Sequence, residues 1–257
     1  MTGRGGAQVT AILSRIADGG ASDVSLPARL CAQCLSALPV SGVALALMSS
    51  DGPSGVVLAA TDERAGQLEE LQFTLGEGPC VEASRNGSPA LHPDLAAAGP
   101  QHWPRFGAAA LDAGARAVFD FPLQVSAIRI GILDLYRDTP GHLSILELAD
   151  AMAFAEAATI VILHLQDHPG PDGAPSGLTG PIDSRAEVHQ ATGMITIQLG
   201  VNLTEALLRL RAHAYAAGQT LGASAADVVN RRLRFDNKPD GPKHSSATTP
   251  GPAEAAS

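Results

Sequence analysis

The chain has 257 residues, 45% hydrophobic and 17% charged, with a formal net charge of −9. Those values exclude a disordered chain and leave room for a core in one large or two modest domains. An acidic balance excludes polyanion binding by the surface as a whole, so such a partner is sought only on a local basic segment. The first residues, MTGRGGAQVTAILSRI, carry no secretory apolar stretch, and no apolar run is long enough to span a membrane, so a cytoplasmic protein is expected.

The spacing predicts a short helix over Gln8–Ala17 and a better one over Leu26–Leu38, with Pro27 in its first turn. Cys31 and Cys34 form C-x-x-C at helical spacing. Without a second Cys or His pair they read as buried helix residues, and a redox pair or half a metal site is the alternative. The third cysteine, Cys80, makes the count odd, so no structural disulfide framework is expected. Val43–Ser49 and Val56–Thr61 read as strands joined through the turn residues Asp51-Gly52-Pro53, hence a hairpin. Asp62–Leu71 reads as a helix.

In TLGEGPCVEASR the glycines lack P-loop spacing and the closing Lys-Ser/Thr. Cys80 stands near the start of a short helix over Val81–Arg85, where a thiol pKa can be lowered. A buried small residue is the competing reading, and Cys80 is the one ligand-binding candidate in this region. His92, Asp94 and His102 lie among Pro and Gly without i,i+4 pairing, so no metal site is expected. A helix over Trp103–Ala113 precedes two strands, Ala117–Leu123 and Arg129–Tyr136. In the second, Ile130, Ile132 and Asp134 share one side, and Gly131, Leu133 and Leu135 the other. Ser144–Gln166 reads as a long helix. Its Ala149, Met152, Ala153, Ala157, Ile160 and His164 lie on or near one face, which suggests a homodimer contact.

A Pro/Gly-rich linker is expected over 168–182 and a polar, Pro-rich, disordered tail over 236–257. Between them, 183–235 reads as three short helices. In the first, Ser184–Leu199, Val188, Ala191, Ile195 and Leu199 share a face. Arg185, His189, Thr192 and Thr196 form a separate polar stripe. Gly200 can end the helix. Gly193, mid-helix, costs about 1 kcal/mol against Ala, so either a helix packs closely there or a backbone or base approaches from outside. Asn202 caps the second helix with Glu205 in the capping-box position. Glu205 can pair with Arg209, while Arg211 sits on another side with Tyr215 four residues on. A guanidinium beside a ring can receive an unstacked base, or be an ordinary surface contact. Leu221, Ala225, Val228 and Leu233 give the third helix its face, closed by Arg231, Arg232 and Arg234. The segment holds six Arg against Glu187, Glu205 and Asp227, a basic unit on an acidic chain.

EVHQATGMITIQLGVNLTEALLRLRAHA, with LGASAADVV after it, resembles an ANTAR domain, the RNA-binding module of bacterial antitermination regulators. Gln190, Ala191, Gly193, Met194, Asn202, Glu205, Arg211, Ala214 and Val228 are among the matching residues. Thr192 departs from the Lys of many members, and Ser224 from a larger apolar residue. The earlier stretches LGEGPC, WPRF, GARAVFDFPL and IRIGILDLY resemble a GAF domain, a small-molecule sensor fold. The implied fold class is α+β. After an N-terminal extension (1–23) come a GAF-like domain with an antiparallel sheet and flanking helices (24–167) and an all-α three-helix ANTAR-like domain (183–235).

The resemblances imply a signal-responsive RNA-binding regulator that acts by antitermination on transcripts containing hairpins. The expected RNA contacts are Gln190, Ala191, Thr192 and Gly193 for close approach, with Arg185, Arg211, Tyr215, Arg231 and Arg232 for charge and stacking. The sensor ligand and any cofactor stay unnamed. The alternatives are a DNA-binding transcription factor and a sensor acting through a protein partner. An enzyme is not expected, since no nucleophile–base pair, phosphate loop or metal-ligand set stands out.

Overall fold

The computed structural model describes residues 2–18, 24–49, 52–167 and 182–236, without the side chains of 2–4, 49, 52–55, 100 and 182–186. The expected linker, apart from Ile182, and the expected tail beyond Asp236 lie outside the described residues, as does the side chain of Arg185.

One five-stranded sheet in the order β2-β1-β5-β4-β3 carries the first part of the chain. Its strands are β1 (Gly42–Ser49), β2 (Gly52–Ala60), β3 (Ala90–His92), β4 (Ala117–Val125) and β5 (Ile128–Arg137), and every pairing is antiparallel. The expected hairpin is β1–β2. Period-two alternation gives the sheet two buried faces. Leu45, Phe119, Phe121, Leu133 and Leu135 point into a core with α1 (Thr2–Ala17), α2 (Leu26–Ala37) and α7 (Ile145–Asp167). On the other face Ala44, Val118 and Tyr136 meet α3 (Glu63–Leu75) and α6 (Pro104–Asp112). There too, Ala46 and Ile132 meet α4 (Pro79–Asn86).

The helices begin where local chemistry favours it. Asp62 caps α3, its Oδ1 accepting from Ala65 N at 2.7 Å while its Oδ2 accepts from Tyr136 Oη at 2.8 Å. Ser144 and Glu147 form a reciprocal capping box at α7. The helix expected at Gln8–Ala17 begins at Thr2. The stretch set apart as an extension contributes Val9, Ile12 and Ile16 to the sheet core, and Gln8 donates to Asp150 of α7. The section after Asn86 holds β3 and α5 (Leu95–His102), with Asp94 capping α5 through Ala96 N and Ala97 N. Pro100 and Gly99 hid that helix from pattern reading.

On α7 the expected face divides in two. Ala153 and Ala157 point into the core, while Ala149, Met152, Ile160 and His164 are exposed. With Ile145 and Leu163, also exposed, Met152 and Ile160 leave an apolar stripe on the outside.

The last described part is α8 (Ile182–Leu199), α9 (Leu203–Ala217) and α10 (Leu221–Val229). Val188, Ala191, Ile195 and Leu199 face Ala206, Leu210, Ala214, Leu221, Ala225 and Val228, as the spacing predicts. Asn202 Oδ1 accepts from Glu205 N, and Arg209 pairs with Glu205 at 2.7 Å. Ser224 is buried and its hydroxyl donates to Gln219 Oε1, which satisfies the polar residue that stands in place of an apolar one.

Candidate functional site

Two groupings carry chemistry, and α3 joins them. The first lies beneath α3. Asp120 and Asp134 sit directly opposite each other on β4 and β5, both pointing to the α3 side of the sheet. Asp120 is fully buried and Asp134 is 7% exposed, and no carboxylate oxygen of either meets a hydrogen-bond donor. Glu69 of α3 is buried beside them. Burial, then the neighbouring carboxylates, push both aspartates well above the usual carboxylate range, so each takes up a proton more readily than a free carboxylate. A cavity of about 10 Å³, room for one water-sized group, is lined by Glu69, Gln72 and Asp134 among apolar walls from Leu68, Phe106 and Val118. Gln72 ties the site to the start of α4, its Oε1 accepting from Cys80 N at 2.8 Å.

Cys80 is buried. Desolvation, with Asp134, Glu69 and Asp120 behind it, raises its thiol pKa, which overrides the expected helix-start effect and keeps it a thiol. Cys31 and Cys34 are buried in the sheet core, and burial pushes the Cys31 thiol up to about 12 and Cys34 further. Both behave as core residues. His92 packs edge-on to Trp103 and lies 3.5 Å from Glu82, while Asp94 caps α5. Among the described residues no three His, Cys, Asp or Glu side chains are placed to hold a metal ion.

The second grouping is the surface of the three helices. Gln190, Tyr215, Arg231 and Arg232 are exposed. Gly193 is half-buried, and a Cβ added there would meet nothing within 4 Å among the described residues, so no helix among them requires the glycine. Two expected contact residues are covered. Ala191 lies in the helical core, and Thr192 is buried with its Oγ1 donating to Val188 O at 2.7 Å. The expected polar stripe is thus not an open face. A threonine hydroxyl satisfied by its own helix can be buried where a charged side chain could not. Arg232 is held by Asp227 at 2.9 Å, and Arg231 adopts φ 59° just beyond α10.

Arg211 does not reach Tyr215. Its Nη2 donates to Phe73 O at 2.6 Å, its guanidinium lies 5.5 Å from the centre of the Phe73 ring, and burial lowers its pKa to about 10. Tyr215 instead lies under Arg105 of α6, at 5.2 Å. Each part of the chain therefore places one cation over an aromatic ring of the other. A cation at the carbonyl end of α3 is also favoured by the helix dipole. The seat is tight: Gly76, at φ 65°, ends α3, and a Cβ there would stand 2.7 Å from Arg211 Nη1.

The fold is similar to several solved GAF structures. The GAF domain of an Acinetobacter phosphoenolpyruvate-protein phosphotransferase aligns at TM-score 0.47 and 13% identity, over 67% of this chain and 100% of that one. The corresponding domain from Coxiella burnetii aligns at TM-score 0.47 and 19% identity, over 63% and 96%. The type II free methionine-R-sulfoxide reductase of Thermoplasma acidophilum aligns at TM-score 0.42 and 13% identity, over 61% and 96%. No family model and no curated protein matches the chain.

Pattern reading missed the carboxylate cluster. Its signal was present, since VFDFPL and ILDLY each place one Asp among strand-forming apolar residues, where an acidic residue is disfavoured. Glu69 gave no such sign, because a Glu in a helix is ordinary. No helix among the described residues is long and apolar enough to cross a membrane.

Proposed function

We propose that the chain is a signal-responsive RNA-binding regulator acting by antitermination. In this reading the sheet unit is a GAF-like sensor and α8–α10 an ANTAR-like module for structured RNA hairpins. Gly193 carries the RNA half of the reading. It costs helix stability, no contact among the described residues offsets that cost, and it lies one turn from exposed Gln190. A backbone or base can approach closely there, while Arg231 and Arg232 meet phosphates. Gly193→Ala is expected to stabilise the protein by about 0.5–1 kcal/mol in urea melts and to weaken binding of a structured RNA in a gel shift. Unchanged RNA affinity removes Gly193 from the contact surface. Binding to duplex DNA of matched charge with silence toward RNA replaces the reading with a DNA-binding one.

The antiparallel sheet with flanking helices and the LGEGPC, WPRF and IRIGILDLY stretches support the sensor half. The docked Arg211 and Phe73 supply a route for the signal: ligand-dependent movement of α3 changes the seat of α9. A sensor acting through a protein partner is favoured by one observation, the exposure of Leu203, Leu208 and Tyr215 on α9.

The outer stripe of α7 fits a homodimer, as two such faces would bury apolar surface against each other. Ile160→Lys is expected to convert dimer to monomer in light scattering, with unchanged circular dichroism. A wild-type monomer at all concentrations removes the dimer.

A further inference from the structure

Helix α9 meets the sheet unit through one face. Arg211 and Tyr215 lie four residues apart on α9, and both are met by rings or cations of α3 and α6. They are the two side chains of α9 expected to receive RNA, and both are already engaged. The Arg211 guanidinium lies over the Phe73 ring at 5.5 Å, gives Nη2 to Phe73 O at 2.6 Å, and has Gly76 close against its Nη1. Phe73 thus takes a stacking surface that a base would use and an N–H that a phosphate would use. Arg105 covers the Tyr215 ring at 5.2 Å. Glu77 fixes Arg105, its Oε1 accepting from Arg105 N at 2.8 Å and Phe106 N at 2.9 Å, with its Oε2 3.8 Å from Arg105 Nη2.

The docking leaves one donor unmet. Arg211 Nε is buried and finds no acceptor among the described residues. A buried donor without an acceptor costs stability. A guanidinium presents its donors as a planar fork, which a phosphate matches with two oxygens and a single carbonyl does not. Phosphate therefore satisfies Arg211 more fully than α3 does.

We propose, resting on the RNA reading of α8–α10, that the sheet unit is an autoinhibitory clasp: Phe73 and Arg105 occupy the side chains that RNA requires, so docking of α9 and binding of RNA exclude each other. The segment from Gly76 to Cys80 joins the clasp to the cavity beneath α3. Gly76 seats Arg211, and Glu77 holds both Arg105 and the backbone of Phe106. Phe106 lines that cavity together with Gln72, which holds Cys80 N. Phe73 belongs to α3 and Arg105 to α6, so a shift of α3 against α6 separates the two halves of the clasp.

The test uses the full chain carrying Phe73→Leu and Arg105→Ala. Both changes lie on the sheet unit, leave every residue of α8–α10 intact, and keep an apolar side chain in the helical core. Reaction of Arg211 with phenylglyoxal, read by peptide mass spectrometry, reports docking without RNA. Gel shifts over a salt series report affinity for RNA hairpins with randomised loops. Arg211 should react faster in the double variant than in the wild type. Hairpin binding should tighten about five- to tenfold, within the usual range of coupling between two sites. The slope of log affinity against log salt should steepen by about 0.7–0.9, the share of one recruited phosphate contact. Adding Arg211→Ala should remove the gain. Arg105→Ala alone, which touches no core residue, should give a smaller gain of the same sign, and no gain from it overturns the clasp. Arg211 that reacts as fast in the wild type as in the double variant overturns it, since nothing then holds the side chain. Arg211 freed with hairpin affinity unchanged or lowered overturns it as well and leaves the RNA reading standing. Hairpins bound by neither protein remove the RNA reading and the clasp with it.

Discussion

Replacing Phe73 by alanine is expected to cost about 3–5 kcal/mol, the range for removing a buried phenylalanine. It should also loosen α8–α10 selectively. Phe73 belongs to α3, yet its side chain is buried in the core of the three helices beside Val188, Ile195 and Leu210. It is the one fully covered residue that the sheet unit contributes to that core among the described residues. The same residue supplies the ring beneath Arg211 and the carbonyl that Arg211 grips. Hydrogen exchange should therefore show protection falling across α8–α10 while the sheet keeps its own. Arg211→Ala breaks only the polar part and should cost less, about 1–2 kcal/mol. If docking restrains the helices, Phe73→Ala also raises their affinity for structured RNA, without altering any exposed cation. Equal loss of protection in sheet and helices would show that the two parts unfold as one.

Asp120→Asn should raise stability at neutral pH by roughly 1–3 kcal/mol, the cost of a buried group left unsatisfied. Asp120 and Asp134 have folded pKa values raised above the ordinary aspartate value of 3.8, by burial first and by neighbouring carboxylates second. The native state therefore holds more protons than the unfolded chain above that value. Stability is fully present below it and is lost as pH rises through the raised native pKa. Glu69 on α3, with Cys80 and Glu82 on α4, faces the same pair and keeps the slope in that direction. Asparagine removes one ionisation, so melting curves between pH 4 and pH 8 should converge at the acid end and separate with rising pH. Curves that separate in the opposite sense would mean that the aspartates are ionised and internally paired.

The alternation of IRIGILDLY was enough to assign Ile132 and Leu133 to opposite faces, and β5 places them in different cores. The spacing of Val188, Ala191, Ile195 and Leu199 likewise predicted the buried face of α8. These are local patterns, and a period of 2 or 3.6 tells which side of an element is apolar. The same reasoning misplaced Thr192. A helical period separates an apolar stripe from a polar one, but it does not say whether a neighbour covers the polar one. It also paired Arg211 with Tyr215, because i,i+4 neighbours are all that one helix can offer. The actual partner of Arg211 lies 138 residues away.

By itself, the sequence determined most of the elements, their apolar faces, the cap at Asn202, and the basic character of the last helices, all properties of short stretches of chain. Only the tertiary structure decided which polar residues meet. It set Asp120 against Asp134 by strand register, brought Glu69 down on them from α3, and closed Arg211 over Phe73 at the far end of the same helix. The physical reason is that burial and charge pairing depend on what arrives from elsewhere in the chain, and no periodicity within one element encodes that arrival.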